Sequence, residues 1–290
     1  MSCSEISCGE LLDCFIREFE ARHWEQARAE AVAIMAELLN CNRLQVQVNR
    51  QQIISGALHE EARQIMQRRL NNEPWQYIFQ RAYFRDLTLK VSPAVLIPRP
   101  ETELLVDWCL EFLPDNGSLL DLGTGSGAIA LSVASERNDA QVTACDISSE
   151  ALCIARSNGQ NIAPGRVEWL QSDLFTALAG RKFDIIAANL PYVTENEHGD
   201  LSPEVRDFEP ELALVSGQDG LDLIRKTVAQ AAGYLNLRGS IILEMSEWQT
   251  PLVADIMAAD IEFCAVEILR DYTGRSRFVA ARKRNMELPG

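Results

Sequence analysis

The run Leu119-Leu120-Asp121-Leu122-Gly123-Thr124-Gly125-Ser126-Gly127 constrains this chain more than any other. Apolar residues give way to glycines at alternate positions, and Ala128 to Ser135 then reads as a helix. Glycines between a strand and a helix let the backbone turn sharply and approach a ligand closely. The alternation continues downstream. Gln141 to Asp146 reads as a strand, Ser149 to Ser157 as a helix, and Val167 to Gln171 and Phe183 to Asn189 as further strands. A helix over 221–235 leads to the strand Ser240 to Met245. The tail, over 261–269 and 277–281, reads as a closing hairpin. Strands alternating with helices predict an α/β fold, a Rossmann-like and mostly parallel sheet of seven strands covered on both faces.

The first part of the chain has a different period. Leu11, Leu12, Phe15, Ile16 and Phe19 recur at helical spacing, as do Ala31, Ile34, Met35, Leu38 and Leu39. A third set, Ile53, Ile54, Ala57, Ala62, Ile65, Met66 and Leu70, predicts a helix that Gly56 weakens and Asn71 to Pro74 stops. Residues 1–80 are expected to form a small helical bundle. Residues 81–100 are expected to link it, through a β-hairpin turning at Arg85-Asp86, to a third domain over 101–290. In Ile97-Pro98-Arg99-Pro100-Glu101-Thr102-Glu103 two prolines fix an extended path. A helix then begins with acidic residues at its positive end.

Composition narrows the partners. Across 290 residues the net charge is −15 and 47% of residues are apolar. A protein that tracks a phosphate backbone needs a basic footprint, so extended nucleic-acid binding is not expected. The cysteines at 3, 8, 14, 41, 109, 145, 153 and 264 form no Cys-x-x-Cys pair. They read as reduced thiols, and no metal is expected. The first residues are acidic and lack an apolar run, so no signal peptide is expected, and no stretch is long enough to cross a membrane. The cytoplasm is the expected compartment, and a monomer the default state.

The glycine loop by itself also fits a dinucleotide fingerprint, through Gly123, Gly125 and Ala128. Asp121 separates the two readings. A carboxylate at the mouth of the loop repels a pyrophosphate and attracts the cationic S-adenosyl-L-methionine. Asp146 ends the next strand, 19 residues after Gly127, where a carboxylate can accept both ribose hydroxyls. Asp173, after the third strand, can meet an adenine amino group or cap a helix. The candidate cofactor residues are therefore Asp121, Gly123, Thr124, Gly125, Ser126, Gly127, Asp146 and Asp173.

The fourth strand ends at Asn189-Leu190-Pro191-Tyr192, at the same carboxyl edge. An amide or aromatic amine is a poor nucleophile, because its lone pair is delocalised. Two acceptors on its N–H groups hold the nitrogen in line with a methyl donor and favour the developing positive charge. The Asn189 side-chain oxygen is one such acceptor and the Leu190 carbonyl the other. Pro191 fixes the backbone, and Tyr192 offers a flat face to the planar group. The methylated nitrogen is acidic and loses its proton to water, so the motif needs no general base.

These stretches resemble the HemK/PrmC protein-glutamine N5-methyltransferases, which modify peptide-chain release factors. The resemblance spans nearly the whole chain. It rests on Pro93, Leu96 to Glu103, Asp121 to Gly127, Ser172-Asp173, Phe208-Glu209-Pro210, Ala213-Leu214, Asp219-Gly220-Leu221 and Asp271 to Arg275. It implies a class I methyltransferase fold with a helical substrate-recognition domain in front. It also implies S-adenosylmethionine contacts that include Leu174 and Asn189. The implied substrate is the glutamine of the Gly-Gly-Gln loop of class-1 release factors, held by Asn189 to Tyr192. Three stretches depart from the family pattern. Leu190 stands where proline is usual, Leu174 where an aromatic often stacks on adenine, and Met245-Ser246 in place of a glycine after Glu244. Asn-Leu-Pro-Tyr is also the form found in ribosomal-RNA adenine dimethyltransferases. The acidic charge and the Ile97 to Glu103 stretch weigh against that reading. A ribosomal-protein glutamine as substrate, and a non-catalytic binder of S-adenosylmethionine or release factor, are the remaining alternatives.

Overall fold

Side-chain caps set the helix starts in the first part of the chain. The structure, a computed structural model, describes residues 6–285. A short strand β1 (Ile6–Ser7) leads into α1 (Cys8–Ala21). Ser7 Oγ accepts from the Glu10 N–H while the Glu10 carboxylate accepts from the Ser7 N–H, so two otherwise unpaired donors are satisfied. One face of α1 buries Leu11, Leu12, Phe15, Ile16 and Phe19 against α2 (Ala27–Leu38). Next come α3 (Arg43–Val48), capped by Asn42, and β2 (Ile53–Ile54), which pairs antiparallel with β1. The third helix of the bundle, α4 (Gly56–Leu70), therefore starts three residues later than its apolar spacing predicts. Ser55 is the reason. Its Oγ accepts the Leu58 N–H and fixes the start, leaving Ile53 and Ile54 extended. Gly56 lies in the first turn, where it does not weaken the helix interior. After α5 (Trp75–Ile78) this first compact unit ends at Phe79. Within it Arg69 is buried, pairs with Glu30 and stacks on Trp24 at 4.1 Å.

A second compact unit runs from Gln80. It opens with the expected hairpin, β3 (Arg81–Phe84) and β4 (Leu87–Lys90), turning at Arg85-Asp86. Phe84 and Leu89 share a core with Leu105 and Val106 of α6 (Thr102–Phe112). At the turn, Arg85 takes φ +51° and its guanidinium meets Asp107 and Glu136.

The sheet follows in chain order. β5 (Ser118–Leu122), α7 (Ala128–Glu136), β6 (Gln141–Asp146), α8 (Ser149–Ile162) and β7 (Val167–Gln171) build one half. β8 (Phe183–Ala188), α9 (Glu195–Asp200), α10 (Pro203–Phe208), α11 (Asp222–Tyr234) and β9 (Leu235–Glu244) build the other. α12 (Thr250–Ala259), β10 (Phe263–Arg270) and β11 (Ser276–Lys283) close it. The strand order is β10-β11-β9-β8-β5-β6-β7, with β11 antiparallel to both its neighbours and the rest parallel. The α/β class, the seven strands and the closing hairpin are as predicted.

Alternation along the central strands divides the interior in two. Leu119, Ile185 and Ile242 face one core, while Leu120, Ile186 and Ile241 face the other. Because β5 pairs with both β6 and β8, the chain reverses direction across the sheet there. The loops after β5 and β8 open side by side at this switch point, where α/β sheets hold ligands.

Asn158 of α8, a buried residue, ties the hairpin to the loop after β5. Its Oδ1 accepts from the Lys90 N–H, and its Nδ2 donates to the carbonyls of Lys90 and Ser126. Asn158→Ala is expected to lower stability by about 1–3 kcal/mol, because it strands buried backbone groups. A guanidinium-chloride titration of the second unit's transition checks this, and an unchanged midpoint contradicts it. The seven described cysteines are free thiols, and Cys3 lies outside the described residues. Among the described residues no helix is long and apolar enough to cross a membrane.

Candidate active site

The loop after β5 is held open by its own backbone. Gly123 and Gly125 take φ of +70° and +55°, a region that side chains disfavour. A Cβ at Gly123 would come within 2.9 Å of Leu190 Cδ2. A Cβ at Gly125 would meet nothing within 4 Å, because that glycine faces a cavity of about 460 Å³. Asp121 lies fully buried behind the loop. Its Oδ2 accepts from Thr124 Oγ1 at 2.6 Å and from the Ala130 N–H at 3.1 Å, so it ties the loop to the first turn of α7. Its Oδ1 is buried with no partner, and burial pushes the carboxyl up to about 7. Asp146, at the end of β6, accepts the Gly125 N–H on Oδ2 and the Ser148 N–H on Oδ1, both at 2.9 Å. Burial raises this carboxyl as well.

Most of the residues singled out in the sequence line this one cavity: Gly123, Thr124, Gly125, Ser126, Asp146, Asp173, Leu174, Asn189, Leu190 and Pro191. Three do not line it. Asp121 lies beneath the loop, Gly127 packs against Trp169, and half-buried Tyr192 packs on the core beside α11. Burial, with Glu244 nearby, pushes the Tyr192 phenol up to about 12. No helix follows Asp173, so it caps none. The turn there is instead closed by Ser172, whose Oγ accepts the Ala177 N–H and donates to the Leu174 carbonyl.

The loop after β8 is anchored on several sides. The Leu190 side chain is buried against Gly123, and the Tyr192 carbonyl accepts from Gln249 Nε2 at 2.9 Å. Asn189 Nδ2 donates to Thr102 Oγ1 at 3.0 Å, and Thr102 Oγ1 donates to Glu244 Oε2 at 2.7 Å. Glu244 is 1% exposed, and burial lifts its carboxyl to about 7. Among the described residues, none donates to Asn189 Oδ1 or to the Leu190 carbonyl. Arg99 pairs with buried Glu209 at 2.7 Å, and Glu209 also accepts the Ile97 N–H. This contact joins the proline-rich stretch to the wall at Pro210 to Ala213.

Sequence reasoning assigned no role to Thr102 or Glu244. Glu244 ends an apolar strand and Thr102 opens a helix, so each has an ordinary reading on its own. Only the pairing of distant strands brings them together.

Two families match the chain: the PrmC N-terminal domain over residues 10–79 and the methyltransferase small domain over 100–203. A release factor glutamine methyltransferase of Gloeobacter violaceus is 38% identical over 264 residues, covering 90% of this chain and 92% of its own. One from Streptococcus pneumoniae is 42% identical over 216 residues, covering 74% and 77%. The chain belongs to the release factor glutamine methyltransferase family.

It is thus an S-adenosylmethionine-dependent protein-glutamine N-methyltransferase. A 16S rRNA N2 G1207 methyltransferase of T. thermophilus, solved with AdoMet and guanosine, shares the fold. That likeness has a TM-score of 0.52 at 23% identity and covers 70% of this chain and 50% of that one. The residues present fit S-adenosylmethionine. The open face of Gly125 leaves room for a ligand. The cavity is lined by Asp146, Glu150, Asp173 and Glu211, while its Arg99 is neutralised by Glu209. Such a lining suits a cation.

Proposed function

We propose that the methyl group goes to the side-chain amide nitrogen, N5, of the glutamine in the Gly-Gly-Gln motif of class-1 release factors. The observation that carries this reading is the pair of oxygens without internal donors, Asn189 Oδ1 and the Leu190 carbonyl, on residues that line the cavity. A primary amide has two N–H groups and needs two acceptors. Bound S-adenosylmethionine supplies a methyl carbon made electrophilic by its sulfonium. Asn189 and Leu190 hold the amide nitrogen in line and favour the charge that grows on it. Pro191 keeps the carbonyl oriented, and Tyr192 anchors the loop through its packing on the core and its carbonyl. The nitrogen then releases a proton to water, for which the site needs no base.

Gly123 to Gly127 would cradle the cofactor, with Asp146 on its ribose and Asp173 and Leu174 at its adenine. Asp121 would act by shaping the loop from beneath, through Thr124 and the first turn of α7. Residues 1–80 would recognise the body of the release factor, as a separate unit placed ahead of the catalytic one.

The test is to incubate the protein with labelled S-adenosylmethionine and, separately, release factor, ribosomal proteins and RNA. Peptide mass mapping is expected to place one methyl on the Gly-Gly-Gln glutamine. Label on RNA or ribosomal protein alone would overturn the assignment.

A further inference from the structure

Resting on that reading of Asn189, we propose that Thr102 and Glu244 are positioning residues that fix which end of the Asn189 amide faces the substrate. An asparagine side chain can be turned over with little change in shape. One orientation offers an acceptor to the glutamine N–H, and the other offers a competing donor. The difference decides whether the site binds an amide NH2 group or repels it.

The three side chains form a line whose polarity is set at the far end. Glu244, when ionised, can only accept. Thr102 has one hydroxyl proton, and it lies 2.7 Å from Glu244 Oε2. With that proton committed, the Thr102 oxygen can only accept from its remaining neighbour. The neighbour at 3.0 Å is the Asn189 amide, which must therefore turn its Nδ2 inward. Asn189 Oδ1 is left for the glutamine.

Burial favours a fixed arrangement. Thr102, at the cavity wall, is 4% exposed and Glu244 1%, so water has little access to the pair. Arg99, Glu101, Arg277 and Tyr192 are the other titratable groups that act on Glu244. An assay at pH 8.5 keeps the carboxylate ionised.

The experiment compares four variants at saturating S-adenosylmethionine with release factor as substrate. Thr102→Val keeps the shape and removes the relay. It is expected to lower kcat by about tenfold, the scale of a lost orientation in a reacting pair. Thr102→Ser keeps the hydroxyl and is expected to restore kcat to within about twofold of the starting protein. Glu244→Gln keeps the size but can donate as well as accept, so it no longer fixes the direction, and kcat is expected to fall severalfold. S-adenosylhomocysteine affinity, read by calorimetry, and the melting temperature are expected to stay close to those of the starting protein in Thr102→Ser and Glu244→Gln. Asn189→Ala serves as the reference.

If Thr102→Val and Glu244→Gln turn over like the starting protein while Asn189→Ala is inactive, the relay is wrong and the acceptor role of Asn189 stands. If Thr102→Ser is as slow as Thr102→Val, packing explains the loss and the relay is also wrong. If Asn189→Ala itself turns over normally, the reading beneath the relay fails with it. Should Thr102→Val not fold, Glu244→Gln alone decides.

Discussion

Asn189→Ala is expected to cut turnover by on the order of 100-fold or more, the size of effect seen when one oxyanion-type contact is removed. Affinity for S-adenosylmethionine is expected to stay within about tenfold, since the loss falls on charge that develops only as the new bond forms. The side chain is neither a charge nor a major packing element. Its Nδ2 meets Thr102, and its Oδ1 has no donor among the described residues. Truncation therefore removes the acceptor and leaves the surrounding strand, β8, in place. Single-turnover kinetics with release factor, alongside calorimetry with S-adenosylhomocysteine, separates the two effects. A variant that binds cofactor poorly but methylates normally once saturated would move Asn189 from the chemistry to cofactor binding.

The second large effect belongs to cofactor binding. Asp146→Ala is expected to raise the dissociation constant for S-adenosylmethionine by on the order of 100-fold, or about 3 kcal/mol. The carboxylate would have two duties. It holds the Gly125 and Ser148 N–H groups, and it would accept from the ribose. Removing it frees the glycine loop from its outer anchor at the same time as it removes a ligand contact. Asp146→Asn keeps one acceptor oxygen and is expected to lose about tenfold. Calorimetric titration without release factor is the direct measurement. An affinity unchanged in the alanine variant would show that the ribose is held elsewhere.

The parallel sheet was legible in the sequence because its strands are short apolar runs separated by helical periods. The loops after β5 and β8 were legible for a second reason. Glycines at alternate positions mark Gly123 to Gly127, and at Asn189 to Tyr192 an amide, a rigid ring and a phenol interrupt an apolar run. The segment between Pro191 and Leu221 was not legible. α9 consists of Glu195-Asn196-Glu197-His198-Gly199-Asp200 with no buried residue, so it has no apolar period to read. Its start was written only in the reciprocal bonds of Thr194 and Glu197. α12 went unread although Pro251 stands in its first turn, where a missing N–H does no harm. Ile53 and Ile54 misled for the opposite reason. Their spacing suits a helix, but Ser55 caps the helix beyond them and β1 pairs with them. Arg99 stands beside Glu101 and Glu103 in the sequence, whereas the fold gives it Glu209. Long-range partners of this kind carry no local signal.

The contact between Gly123 and Leu190 has a consequence for how such a catalyst can change. The glycine loop and the loop after β8 touch at this point, where the space beside Gly123 is filled by the Leu190 side chain. Exchanges at 190 should therefore be tolerated according to bulk, backbone stiffness and apolar character, because this side chain is buried in the core. A larger residue at 123 would meet Leu190 and would also be strained at φ +70°, so a smaller residue at 190 would relieve only part of its cost.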